Sequence, residues 1–92
     1  MAKLNKDQIN EQLKAVYGWQ LQGDEIVRSL TFKDFVESMS FVNKVADLAE
    51  KAGHHPDIYI SWNKVRLNLT THDAGGLTQK DFDLAIQIDQ IT

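Results

Sequence analysis

The chain carries three histidines, and two of them are adjacent. His54 and His55 fall in EKAGHHPDIYISWN, residues 50 to 63, and His72 falls in NLTTHDAGG. Imidazole titrates near neutral pH, so it gives and takes protons under physiological conditions. Two or three such rings around one pocket suit an elimination. One ring donates a proton to a leaving hydroxyl while another accepts a proton from the substrate. Glu50 and Asp81 are of the type that orients imidazoles or tunes them. Tyr59 and Trp62 are of the type that stacks on a flat heterocycle. Other readings of the same residues stand beside this one. Loop histidines often do no more than hydrogen-bond to the backbone. Three histidines can also hold zinc with an open position, although this spacing matches no standard zinc motif. Tyr59 and Trp62 serve equally well as core or interface aromatics. Gly75-Gly76 lacks the lysine and surrounding pattern of a phosphate loop and reads as a turn.

The elements that must position these residues come in a readable order. NKDQINEQLKAV places Ile9, Leu13 and Val16 at helical spacing, which predicts a short amphipathic helix. GWQLQ and EIVRSLTF flank Gly23-Asp24 and predict a hairpin. Ile26, Leu30 and Phe32 share a face in its second strand. Arg28 interrupts that face, which places the strand near an edge. KDFVESMSFVNKVADLAEKAG is the clearest helix, with a stripe of Phe35, Met39, Val42, Ala46 and Ala49. Asp34 with Glu37, or Thr31 one turn earlier, caps its start. Gly53 ends it and Pro56 blocks continuation.

DIYISW and KVRLNLTTH alternate around Asn63-Lys64 and predict a second hairpin with one buried face. Such a hairpin brings residue 72 back to the neighbourhood of residues 54 to 57. Pro56 biases His55 toward an extended backbone, where adjacent side chains point to opposite sides. His54 and His55 are therefore not expected as a side-by-side pair. The final stretch, TQKDFDLAIQIDQI, predicts a helix capped by Thr78 with Asp81 three residues on. Phe82, Ala85, Ile88 and Ile91 face the sheet. The order is helix-strand-strand-helix-strand-strand-helix. The expected fold is α+β and two-layer: a four-stranded antiparallel sheet with helices on one face.

Bulk properties bound the function. The 92 residues predict one domain over 1–92. A net charge of −3 gives no electrostatic pull toward nucleic acid or an anionic membrane. There is no cysteine, which excludes a disulfide framework, a thiolate metal site and a cysteine nucleophile. That fits a cytoplasmic protein. No apolar run approaches the roughly 18 residues of a membrane span, and MAKLNKDQ lacks the apolar stretch of a signal peptide. A chain this short gains stability by pairing, so a homodimer or homotetramer is expected.

The combination Glu50, His54-His55-Pro56, Trp62, His72 and Asp81, at these spacings, resembles the signature of the pterin-4a-carbinolamine dehydratases. Phe32-Lys33-Asp34-Phe35, Asn63-Lys64-Val65, Thr71-His72 and Gly76-Leu77 extend the resemblance over nearly the whole chain. It implies removal of water from a 4a-hydroxytetrahydropterin to give the quinonoid dihydropterin, with no metal or organic cofactor. His54, His55 and His72 match the family's three active-site histidines. The resemblance implies that His54 and His72 share proton transfer at the C4a hydroxyl and a ring nitrogen, while His55 binds and shuttles protons. Glu50 and Asp81 match its acidic positions. Asp57 to Tyr59, with Trp62, are implied to shape the pocket. Gly53 stands where some relatives have an acidic residue. Vertebrate relatives also act as a dimerisation cofactor for a homeodomain transcription factor. The resemblance therefore admits a protein-binding role as well, and also a pterin-binding role in molybdenum-cofactor metabolism.

Overall fold

A computed structural model describes residues 2–92. The described elements are α1 (Lys6–Leu13), β1 (Gln20–Gln22), β2 (Glu25–Thr31), α2 (Phe35–Ala52), β3 (Asp57–Ser61), β4 (Lys64–Leu69), a 3-10 turn (His72–Ala74) and α3 (Gln79–Gln90). The expected α+β order is the observed one. All strand pairs are antiparallel, and the sheet order is β1-β2-β4-β3. The two hairpins thus join through β2 and β4.

α1 starts where Asn5 and Gln8 each accept the other's backbone N–H at 2.9 Å. It ends at Leu13, short of Val16. The Tyr17 N–H donates to Asp89 at 2.8 Å instead of to a carbonyl one turn back, which draws the chain off the helical path. Ile9, Leu13 and Val16 still pack against the core, half-buried.

Asp34 caps α2 by accepting the Glu37 N–H at 2.9 Å, and Glu37 accepts from Lys33 rather than from Asp34. The buried stripe of α2 is Ser38, Phe41, Val42, Val45 and Ala49. It is rotated from the expected one: Phe35 is 50% exposed and Ala46 faces solvent. The stripe accepts a serine because the Ser38 hydroxyl donates to the Asp34 carbonyl at 2.9 Å, leaving nothing polar unpaired. Gly53 ends the helix at φ 63°, a left-handed conformation in which a Cβ is strained. Gly53→Ala is therefore expected to cost about 1 kcal/mol, read as a lower urea midpoint with an unchanged slope.

The register places Ile26 opposite Leu69, Arg28 opposite Leu67 and Leu30 opposite Val65, with Ile58 and Ile60 on the same face. Against that face pack Phe41, Val42 and Val45 of α2 and Phe82, Leu84, Ala85 and Ile88 of α3. The opposite face carries Ser29, Tyr59 and Arg66 in one row. Arg28 lies just past the end of β1, which pairs only Glu25 to Val27, so it is paired on the β4 side alone, near an edge as expected. It is nonetheless buried, because its guanidinium pairs with Asp89 of α3. The second hairpin turns at Trp62-Asn63, one residue earlier than expected, since Ser61 pairs with Lys64. Asn63 fixes this choice. Its side chain donates to the Phe32 carbonyl at 3.0 Å, and its own carbonyl accepts from Phe32 N–H at 2.7 Å. Trp62 consequently leaves the strand and takes φ 51°.

Candidate active site

The left-handed Gly53 swings the chain out of α2, and the His54 N–H returns to the Ala49 carbonyl at 3.2 Å. This fixes the backbone of His54 against the helix end. Pro56 then leads into β3. From there the hairpin runs out and back, so the chain after β4 meets the segment before β3. His54, His55, Thr70, Thr71, His72 and Asp73 line one open pocket of about 310 Å³. The predicted return of residue 72 to residues 54 and 55 is what the hairpin produces.

The two adjacent histidines diverge, as an extended backbone requires. His54 turns inward, its side chain only 12% exposed, and its Nε2 lies 2.5 Å from Asp81 Oδ1. His55 turns outward, where its Nε2 meets Glu50 in a largely solvent-exposed pair. Solvent screening makes the outer pair energetically minor, so Glu50 orients His55 only loosely. His72 opens the 3-10 turn and is exposed. That turn is held at its base by Thr71 and Gly76, which exchange backbone hydrogen bonds of 3.0 and 3.3 Å.

Asp81 is fully buried at the start of α3. Its Oδ2 accepts the Thr78 N–H at 2.9 Å and the Thr71 hydroxyl at 2.8 Å. An ionised carboxylate only accepts, so Nε2 of His54 is the donor in the third bond, and the tautomer follows from the network. Neutral His54 then keeps a single lone pair, on Nδ1. The arrangement is an imidazole with its orienting carboxylate behind it. A proton arriving on Nδ1 makes an imidazolium that the carboxylate stabilises.

The other sequence candidates lie elsewhere. Asp57 sits at the first position of β3, opposite Asn68, and does not line the pocket. Tyr59 lies on the helix-free face of the sheet beneath the Arg66 guanidinium, 4.3 Å from its ring centre. Trp62 is at the hairpin tip, 64% exposed, at the far end of β3 from the histidines. A five-residue strand spans about 16 Å, which sets Trp62 far from the imidazoles of its own chain, and Tyr59, midway along the strand, does not line their pocket. Among the described residues, no three His, Asp or Glu side chains converge as metal ligands. Sequence reasoning passed over Thr70 and Asp73 in the lining and over the hydroxyl of Thr71, and gave Thr78 a capping role alone. The available signal was Thr71 directly before His72 and Thr78 three residues before Asp81.

The family model of pterin 4 alpha carbinolamine dehydratase matches residues 2–91, and the chain belongs to that family. It is 56% identical over 92 residues to a provisionally named pterin-4-alpha-carbinolamine dehydratase of Nostoc sp. strain PCC 7120, covering 99% of each chain. It also superposes on a solved structure from Brucella melitensis, described as a transcriptional coactivator/pterin dehydratase. There the TM-score is 0.91 and the identity 37%, over 97% of each chain. A pterin dehydratase-like RuBisCO assembly factor of the alpha-carboxysome shares the fold, with TM-score 0.69 at 21% identity over 84% of this chain and 92% of that one.

Proposed function

We propose that the protein is a 4a-hydroxytetrahydrobiopterin dehydratase, a hydro-lyase that recycles an oxidised tetrahydropterin. The observation that carries this reading is His54, backed by a buried carboxylate, in one pocket with His55 and His72. In the elimination the C4a–O bond breaks and a proton leaves the adjacent ring nitrogen. A C4a=N double bond forms, and the hydroxyl departs as water. His54 takes the nitrogen proton on Nδ1, where the Asp81 carboxylate stabilises the resulting charge. His72, across the pocket, gives the proton that turns the leaving hydroxyl into water. His55, steadied by Glu50, binds substrate and passes protons to solvent. The exposed edge of β3, with Tyr59 and Ile60, and the exposed Phe35 and Val36 of α2 suit assembly as a homodimer or homotetramer in the cytoplasm.

Stopped-flow dehydration of synthetic 4a-hydroxytetrahydropterin, with a chelator present, tests the reading. Wild type is expected to accelerate water loss undiminished by chelation, and His72→Ala to lose most of that acceleration. A folded wild type that gives no acceleration would sink the dehydratase assignment. The description of the Brucella neighbour favours a second reading, a coactivator-type protein-binding module. The histidines are dispensable to such a role, so histidine variants that lose dehydration would keep partner binding.

A further inference from the structure

The geometry points to Thr71 as a positioning residue that fixes the proton direction at His54 and ties the backbone of His72 to the same carboxylate. This inference rests on the dehydratase reading and concerns groups that reading does not employ.

Thr71 Oγ1 lies 2.8 Å from Asp81 Oδ2 and 2.9 Å from Thr78 Oγ1. A hydroxyl has one proton to give. The carboxylate accepts only, so Thr71 donates to Asp81. Its proton is then committed, and the Thr78 hydroxyl must donate to Thr71. The result is a chain with one direction: Thr78 to Thr71 to Asp81, with His54 donating to the other carboxylate oxygen. Thr71, Thr78 and Asp81 are 5%, 1% and 0% exposed, so the chain is shielded from bulk water and a lost donor leaves a buried polar group short of a partner. The backbone of Thr71 is meanwhile clamped to Gly76, and the next residue is His72. One hydroxyl therefore links the loop that presents His72 to the carboxylate that holds His54. Without it, Asp81 keeps one fewer donor and can turn about its side-chain bonds, and His54 is no longer held in a single tautomer.

The test compares Thr71→Val, Thr71→Ser and Thr78→Val by dehydration kinetics and by ¹⁵N NMR of the histidine rings. Valine keeps the shape of threonine without the donor. Thr71→Val is expected to lower kcat by about 10- to 100-fold with KM nearly unchanged, and to turn the His54 ring pattern from one tautomer into a mixture. Thr71→Ser, which restores the donor, is expected to recover both the rate and the single-tautomer pattern. Thr78→Val is expected to do less than Thr71→Val, because Asp81 then keeps all three donors. Should valine prevent folding at position 71, Thr71→Ala set against Thr71→Ser makes the same comparison. The inference is overturned if Thr71→Val only lowers the melting temperature and leaves kcat and the His54 signals as in wild type. It is equally overturned if serine fails to rescue. A wild type without dehydratase activity would remove the reading of function, and the NMR comparison would still decide the role of Thr71.

Discussion

Asp81→Asn is expected to abolish most of the dehydratase activity, with a loss in kcat of about 10²–10⁴-fold. The effect should match that of His54→Ala. The substitution keeps the shape and the volume of the side chain, so its consequence is one of proton direction. Oδ2 of Asp81 faces two donors, the Thr78 N–H and the Thr71 hydroxyl. An asparagine must therefore put its carbonyl oxygen there and its NH₂ toward His54. That NH₂ needs an acceptor. The ring must offer Nε2 as a lone pair and carry its proton on Nδ1, which reverses the arrangement that a base requires. Circular dichroism should show the fold intact, KM should change little, and ¹⁵N NMR should show the His54 proton moved from Nε2 to Nδ1. A near-normal kcat in a folded Asp81→Asn would mean that His54 does not act as a base through Nδ1.

The largest effect on stability is expected at the other end of the same helix. Asp89 accepts from the Arg28 guanidinium, from the Trp19 indole at 2.8 Å and from the Tyr17 backbone at 2.8 Å. The side chains of Arg28 and Asp89 are only 10% and 16% exposed. Asp89→Ala strands a guanidinium inside the protein with no anion and leaves an indole N–H unpaired. Breaking such a pair from one side costs about 3–5 kcal/mol, a large part of the roughly 5–15 kcal/mol that holds a small domain together. For a domain of this size that corresponds to a fall in Tm of at least about 12 °C. Arg28→Met is expected to cost less. It removes the cation with the partner's charge left to two remaining donors, and methionine fills apolar space well. Thermal melts of the two variants decide the point. Equal losses would show that the pair acts by packing alone.

Much of the architecture was legible in the sequence because it rests on local signals. Gly23, Gly53 and the Asp34 cap mark their boundaries through chemistry contained within a few residues. The meeting of His54 with His72 was legible as well, since a two-residue turn between two antiparallel strands dictates where a hairpin's ends fall. What escaped depends on partners distant in the chain. The burial of Arg28 was hidden because its anion lies 61 positions away on α3. The stripe on α2 was misplaced because Ser38 counts as polar until its bond to the Asp34 carbonyl is seen. Tyr59 and Trp62 were read as companions of the histidines from the types of residue alone. The strand that carries them runs away from the pocket. Thr71 stands directly before His72, but hydroxyls are common in turns, and only burial beside a carboxylate makes this one directional.

The order β1-β2-β4-β3 has a consequence for how the chain acquires its chemistry. Each hairpin closes over a short loop, whereas the central pairing of β2 with β4 must wait for strands separated by the whole of α2. Closing that longer loop costs more entropy and comes more slowly. The three histidines belong to the second hairpin and its flanks, so they meet early and locally. Asp81 and Asp89 both ride on α3, which follows both hairpins in the chain. The second hairpin brings the imidazoles together, but it does not orient them. The docking of α3 onto the finished sheet delivers the carboxylate that orients His54 and the one that neutralises Arg28 in a single event. The orientation of His54 and the neutralisation of Arg28 thus depend on one and the same docking step.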